Sequence, residues 1–455
     1  MKRDAVPLTS PSMRADPPAD DTVARLLAGA DGPHALAERV AALNRELARW
    51  DSNGGLAAWQ PGPDCDPQLS AALKDYLARC WQLPDWADVE KIDRAEHLFM
   101  DMSMLSCTLL FCASLPECYV LPDLSAVLHA AGQLEQHTDY RIRSTAAMIF
   151  PVMMRGGLTS PQGFGVAQAL KVRLIHATIR HLILRGAPPA SEAVAAPPLA
   201  PLRPAGGGMY HLLYAHGWDS AERGLPCNQE ELAYTLLTFN FVFLRGLRRL
   251  GLGLERSDEE AYLHAWNVLG NLLGIERELM AWTMIDAEAR FADIQARARK
   301  APRENDPRPP LAAALMREME NQIPLRILKS FPTLLTRRLC GPQSSRDLGL
   351  NGRVSLASRI LFRLCFGAVR AFDAVLRLFV PGFSISRMLT RVAGYRLVSR
   401  FLMDQTRPLR LPDALLNQVD AAFEDWRSDP DAPRWLNRVE DRLAGRSTTA
   451  GGTPA

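Results

Sequence analysis

The stretch Lys171-Val172-Arg173-Leu174-Ile175-His176-Ala177-Thr178-Ile179-Arg180 holds the residues best suited to chemistry in this 455-residue chain. On a helix, Arg173 and Arg180 stand at i−3 and i+4 from His176, so all three share one side. A neutral imidazole ligates a transition metal, and guanidinium groups attract carboxylates. The set matches what an iron porphyrin asks of a protein: an axial nitrogen, and cations for its propionates. Ala177 leaves room for a flat ring beside the histidine. A plainer role also fits, because a lone histidine among apolar neighbours is commonly a core histidine. Both readings stay open at this point.

Other metal chemistries find less support. The eight cysteines (Cys65, Cys80, Cys107, Cys112, Cys118, Cys227, Cys340, Cys365) form no CxxC pair, so a zinc or thioredoxin-type site is not expected. Cys107, Cys112 and Cys118 lie in or beside an apolar run, where a free thiol behaves as a small hydrophobe. A reducing compartment fits them best. A di-iron carboxylate bundle needs Glu-x-x-His pairs on facing helices, and Glu260-x-x-x-His264 has the wrong spacing. A net charge of +3, with no basic patch interleaved with aromatics, excludes nucleic acid as a partner.

The elements that must position these residues are helical. Apolar residues recur with helical period, and long alternating β-branched runs are absent, so the fold class is all-α. An amphipathic helix pair is expected over 21–50, broken at Asp31-Gly32-Pro33. The run Glu96–Leu115 is apolar almost all round and as long as a bilayer span. Asp101 and the Met, Ser and Cys within it favour a single buried core helix. Asp123 is a candidate N-cap for a helix running to about Leu134. Thr138–Met154 follows, with Pro151 near its end and Gly156-Gly157 as its stop. The His176 helix is expected from Gly165 to Arg185. Further helices are expected over Gln229–Leu250 and Asp258–Ile275, with a breaker-rich connection at 300–310.

Domain limits follow from composition. Residues 1–20 and 441–455 are rich in Pro, Ser, Asp, Thr and Gly and read as disordered tails. A catalytic unit is expected over 21–295, interrupted by a Pro/Ala/Gly loop at 187–208, and a helical C-terminal region over 296–440. Within 356–400, Arg363, Arg370 and Arg377 recur every seven residues on an apolar background, followed by Arg387, Arg391, Arg396 and Arg400. This segment is either a core helix with an arginine edge or a surface that contacts an anionic membrane.

Several words from Ala113 to Arg180 resemble the central region of the latex clearing proteins (rubber oxygenases) and their mpaB-type relatives. They are Ser114-Leu115-Pro116, Gly132-x-Leu134, Arg141-x-x-x-Thr145, Gly156-Gly157-Leu158 and Val172-Arg173-Leu174-x-His176-Ala177-x-x-Arg180. Trp218-Asp219, Pro226-x-Asn228-Gln229, Leu244-Arg245-Gly246-Leu247-Arg248 and Tyr262-Leu263-His264-x-Trp266 continue the likeness, which covers roughly 90–290. It implies haem b in a globin-like multi-helix core with additional N- and C-terminal helices. It implies His176 as the iron ligand, Arg173 and Arg180 as cofactor-binding residues, and Arg141 and Thr145 as catalytic residues on the distal side. Arg141 and Thr145 are one helical turn apart, so one pocket can receive both. The reaction implied is oxygenation, with dioxygen, of an apolar substrate such as a prenyl or other unsaturated lipid-like chain.

Two positions depart from the family. A lysine that can cap the iron precedes the threonine in characterised rubber oxygenases; here it is Ser144. The family's glutamate base falls near Ser125, with Glu117 and Asp123 as the nearest carboxylates. These departures keep open a haem-binding sensor without turnover, and a peripheral membrane protein without cofactor. The N-terminus has early basic residues but no apolar core segment, so no export signal is expected. A cytoplasmic placement follows, with peripheral contact at the inner membrane surface as an alternative.

Overall fold

The computed structural model describes residues 9–29, 33–102, 104–130, 138–185, 218–300, 306–321, 323 and 325–379. Among these residues there are helices and turns and no strand, as the sequence pattern predicts. The first helices are α1 Pro17–Leu26, α2 Pro33–Leu47, α3 Asn53–Ala57, α4 Pro67–Cys80, α5 Val89–Met102, α6 Met104–Leu109, α7 Leu115–Cys118 and α8 Pro122–Ala130. The central pair is α9 Thr138–Met153 and α10 Gly165–Arg185. After them come α11 Ser220–Arg223, α12 Gln229–Phe239, α13 Phe241–Leu250, α14 Arg256–Leu272 and α15 Met284–Arg299. The described chain ends with α16 Arg308–Asn321, α17 Phe331–Cys340, α18 Pro342–Asp347 and α19 Leu356–Phe379.

Local chemistry sets several starts. Asp66 precedes Pro67 and caps α4, its Oδ1 accepting from the N–H of Gln68 at 2.7 Å; proline suits that first position because its missing N–H would have no helical partner. Asn228 and Thr283 cap α12 and α15 in the same way.

The core surrounds α10. This helix packs on α9, α1, α14 and α3, while α5 lies along α14. Stacked rings fill the interior: Trp50 on Tyr76, Phe239 on Trp266, and Phe243 on Tyr262 at 4.7 Å. The buried Tyr76 hydroxyl donates to the Leu170 carbonyl at 3.1 Å, tying α4 to α10. All eight cysteines are free; Cys365 is exposed, Cys65 half-buried and the others buried. Burial pushes the Cys107 and Cys112 thiols up to about 12, which makes them inert packing groups.

Several expectations are corrected. The run 96–115 is not one helix. It spans α5, α6 and a π-helical turn at Leu110–Ser114, and the arms Val89–Met102 and Leu105–Cys118 meet at 91°. The wide turn leads into Pro116, which has no N–H to continue a regular helix. No single described helix is long and apolar enough to cross a membrane, although this bent pair passes that test together. The expected 229–250 helix breaks at Asn240, whose side chain accepts from the Phe241 N–H and competes with the backbone. Asp123 lies in the first turn of α8 rather than at its cap.

Domain limits also shift. Residues 9–20 are packed on the domain, because Asp16 and Asp20 meet buried arginines of α10. The limit at 295 falls inside α15, and α16 buries Leu311 and Leu315 in the main core. The 187–208 loop, residues 1–8 and 380–455, and the arginines 387–400 lie outside the described residues.

The turn between α9 and α10 is held from two sides. Asn53 of α3 donates to the carbonyls of Gly157 at 2.8 Å and Ser160 at 2.9 Å, and its Oδ1 accepts from the Val166 N–H at 3.0 Å. One amide thereby serves the turn and the first turn of α10, where N–H groups lack helical partners. Glu96 of α5 accepts from the Gly156 N–H at 2.6 Å. Gly156 has φ +69°, a left-handed conformation that favours glycine. Asn53→Ala strands several buried groups at once and should lower stability by about 2–4 kcal/mol, read as the urea midpoint at constant m-value.

Candidate functional site on the α9–α10 helix pair

His176 sits midway along α10, half-buried, with Nδ1 shielded from solvent. Ala177 beside it is fully buried. Arg141 and Thr145 lie on α9, which packs against α10. Counted from the turn that joins the helices, Thr145 is about 12 Å along α9 and His176 about 16 Å along α10, at 1.5 Å per residue. The hairpin thus brings the two expected sets to similar depth. Thr145 is half-buried; the Arg141 side chain lies outside the described residues.

Arg173 and Arg180 are positioned differently from the sequence expectation. Arg173 is buried and bidentate on Asp16, with Nε donating at 2.6 Å and Nη2 at 2.7 Å, and it also donates to the Leu272 carbonyl at 3.3 Å. Gly274 (φ +83°) passes so close that a Cβ there would meet Arg173 Nε at 2.7 Å. Arg180 donates to the carbonyls of Pro226 at 3.0 Å and Cys227 at 2.5 Å and pairs with Asp20. Cys227 has φ +51°, the one left-handed non-glycine among the described residues. These guanidinium groups are engaged within the protein, clamping α1 and the start of α12 onto the histidine helix. Their charge is already balanced by carboxylates, so they are anchors of the site rather than free sites for propionates.

The carboxylates sort as clearly. Glu117 is fully buried and tied to Arg245 at 2.7 Å, Gln295 at 2.9 Å and Ser344 at 2.9 Å, which leaves it no freedom to act as a base. Ser125, where the family glutamate falls, is buried and donates to the Tyr119 carbonyl at 2.9 Å. Glu96 is pushed up to about 7 by burial, against the N–H groups of Gly156, Leu158 and Gly157. Glu231 was not foreseen. It is 4% exposed at the N-terminus of α12, and no described side chain donates to it. Burial first, and then the nearby charge of Asp123, push its pKa up to about 8, although the N–H groups of Asn228 and Cys227 favour its charged form. The Asn228-x-x-Glu231 spacing reads as an ordinary capping box; only its burial in the tertiary structure, with the charge of Asp123 nearby, reveals a buried acid.

His264 is structural. Its Nε2 accepts from the Asp88 N–H at 2.8 Å, and its ring packs edge-on against Trp86. Among the described residues no group of three or more His, Cys, Asp or Glu could hold a bare metal ion. An imidazole such as His176, on a helix with one buried face, suits a metal that brings its own equatorial ligands, as in a porphyrin.

The helical core, without strands among the described residues and built round α10, defines the class: an all-α protein. The profile described as ER-bound oxygenase mpaB/B'/Rubber oxygenase, catalytic domain, matches residues 108–371, more than half of the chain; the chain belongs to this family. The match extends past 295 into α19, in keeping with the buried α16. The rubber oxygenase of Streptomyces sp. (strain K30) is 24% identical over 316 residues, which cover 68% of this chain and 64% of that protein. The chain therefore matches just under two thirds of that relative's length. The structure of latex clearing protein in the closed state superposes with a TM-score of 0.59 at 18% identity, over 92% of this chain and 91% of that one; this likeness shows the shared fold.

Breaking the Arg173 clamp tests the anchoring role. Asp16→Ala leaves a buried guanidinium without its carboxylate and should cost about 3–5 kcal/mol. Asp16→Ala combined with Arg173→Met should recover part of that loss in the same denaturation measurement, because the unpaired charge is gone.

Proposed function

We propose that this chain is a haem b-dependent oxygenase that acts with dioxygen on an apolar, prenyl or other unsaturated lipid-like substrate, the chemical class to which rubber belongs. The observation that carries the reading is His176 on α10, with a ring nitrogen shielded from solvent, on the helix pair that brings Arg141 and Thr145 to similar depth. His176 holds the cofactor and sets its depth, and Arg141 and Thr145 orient polar groups on the distal side. Haem supplies the redox chemistry that side chains lack. The apolar surroundings, with Leu174, Ala177, Ile149 and Phe150 all buried, exclude water and suit an apolar chain. Glu231 is the candidate proton acceptor, since Glu117 is locked by Arg245 and Ser125 has no carboxylate. With a pKa of about 8 it holds its proton at neutral pH and becomes a base as pH rises.

One observation favours a second reading, a haem protein without turnover. Ser144 and Ser125 stand where the family's iron-capping lysine and glutamate base are expected. Oxygen uptake with prenyl lipids separates the two readings.

The purified protein should show a haem Soret band that His176→Ala loses in large part while its helical circular dichroism persists. Full haem retention in the variant removes His176 as ligand. Arg141→Ala and Thr145→Ala should keep haem and lower oxygen uptake by about 10–100-fold. Loss of haem in either would make that residue structural.

Glu231→Gln keeps the capping geometry, so stability should stay within about 1 kcal/mol while turnover falls about 100-fold. In the unsubstituted enzyme the rate should rise with pH through about 8, as the acid loses its proton, and the variant should lack that limb. An unchanged pH–rate profile assigns Glu231 to capping alone.

A further inference from the structure

The end of the described chain carries a surface that the oxygenase site does not use. On α19, Leu356, Ile360 and Leu364 follow one another at i, i+4 and i+8, the spacing of a single helical face. All three are exposed, at 69%, 49% and 64%. Beside them lies the turn Arg326–Leu328, which contacts α19. It presents Leu325 and Ile327, also exposed, and Ser358 Oγ donates to the Ile327 carbonyl at 3.0 Å, fixing turn and helix together. Leu356, Ile360 and Leu364 thus form one apolar ridge along the helix, and Leu325 and Ile327 add two exposed apolar side chains on the turn packed against its other side. Five of the nine large apolar residues that are well exposed among the described residues belong to this helix and the turn packed against it.

The ridge lies in a strongly basic setting. Between 325 and 367 the chain has Arg326, Lys329, Arg337, Arg338, Arg346, Arg353, Arg359 and Arg363 against one acidic residue, Asp347, while the whole chain has a net charge of only +3. Asp347 is itself paired with Arg299, from outside this region. Among the described residues none of the eight cations forms an ion pair. Arg326, Arg353, Arg359 and Arg363 are exposed beside the apolar side chains. Arg338 lies over the Phe366 ring at 4.3 Å, holding the root of the helix.

We infer that this ridge docks on an anionic phospholipid surface, with Leu356, Ile360 and Leu364 entering the headgroup–acyl boundary and the flanking arginines Arg359 and Arg363 meeting lipid phosphates. Exposed apolar side chains with unpaired cations beside them on one helix complement a membrane in both respects. Nucleic acid satisfies only the cations, and a second copy of the same face brings like charges together. The inference stands on this surface alone and does not depend on the oxygenase reading.

Co-sedimentation of the full chain with vesicles of phosphatidylcholine, with and without phosphatidylglycerol, tests it. Binding should require phosphatidylglycerol and weaken with added salt. Arg326→Gln, Arg359→Gln and Arg363→Gln together should lower the partition coefficient about 100-fold. Leu356→Ser, Ile360→Ser and Leu364→Ser together should lower it at low and high salt alike, while circular dichroism and thermal unfolding stay unchanged because these side chains already face water. Absence of binding at low salt overturns the inference, as does binding that neither triple variant alters. A serine variant that loses self-association in size-exclusion chromatography, in a protein that ignores the vesicles, overturns it too and assigns the ridge to a second copy.

Discussion

The buried guanidinium groups of α10 are the constraint on which the rest of the structure depends. An unpaired arginine in a protein interior costs several kcal/mol, so Arg173 and Arg180 must find partners, and those partners lie far away in sequence. Asp16 and Asp20 come from the first helix and its approach; Pro226 and Cys227 come from the segment that leads into α12. Satisfying two side chains therefore draws two distant parts of the chain onto the helix that carries His176. The left-handed conformations of Cys227 and Gly274 follow from the same requirement, since carbonyls and backbone must pass close to these groups.

Rigidity at one end of α10 is matched at the other. Asn53 and Glu96 take up the donors and acceptors of the tight turn before Gly165, where a helix start would otherwise leave N–H groups without partners. A histidine helix fixed at its N-terminus by an amide and along its length by ion pairs has little freedom to slide or rotate. A site needs that property if one imidazole is to hold a planar cofactor at a defined depth beside α9. The cost is a set of buried acids. Glu117 is resolved by Arg245 and its hydrogen-bond partners, whereas burial and the nearby Asp123 keep the pKa of Glu231 raised.

Membership of the rubber oxygenase family is compatible with these differences. The fold persists at 18% identity to a latex clearing protein because helix packing tolerates exchange among apolar residues of similar volume. Polar positions are less forgiving, and Ser125 and Ser144 stand where the resemblance leads one to expect a glutamate and a lysine. Glu231 shows how a buried acid can arise where helices converge.

The helical class, the bounds of α9 and α10, the stop at Gly156-Gly157, the packing role of the cysteines and the family were legible in the amino-acid sequence, because each depends on local periodicity, on glycine and proline, or on words that survive in order. The bend within 96–118 and the break at Asn240 were not, since a π-helical turn and a side-chain-to-backbone bond compete with helical periodicity only by small energies that packing decides. Arg173 and Arg180 show the division most clearly. Sequence places both beside His176 on one helical face, and the spacing alone is the same for a propionate and for an aspartate. Only the tertiary structure, by bringing Asp16 and Asp20 across more than 150 residues of chain, decided which carboxylates they meet. The burial of Glu231 was decided there too, because desolvation is a property of the surroundings and no residue carries it in its own name.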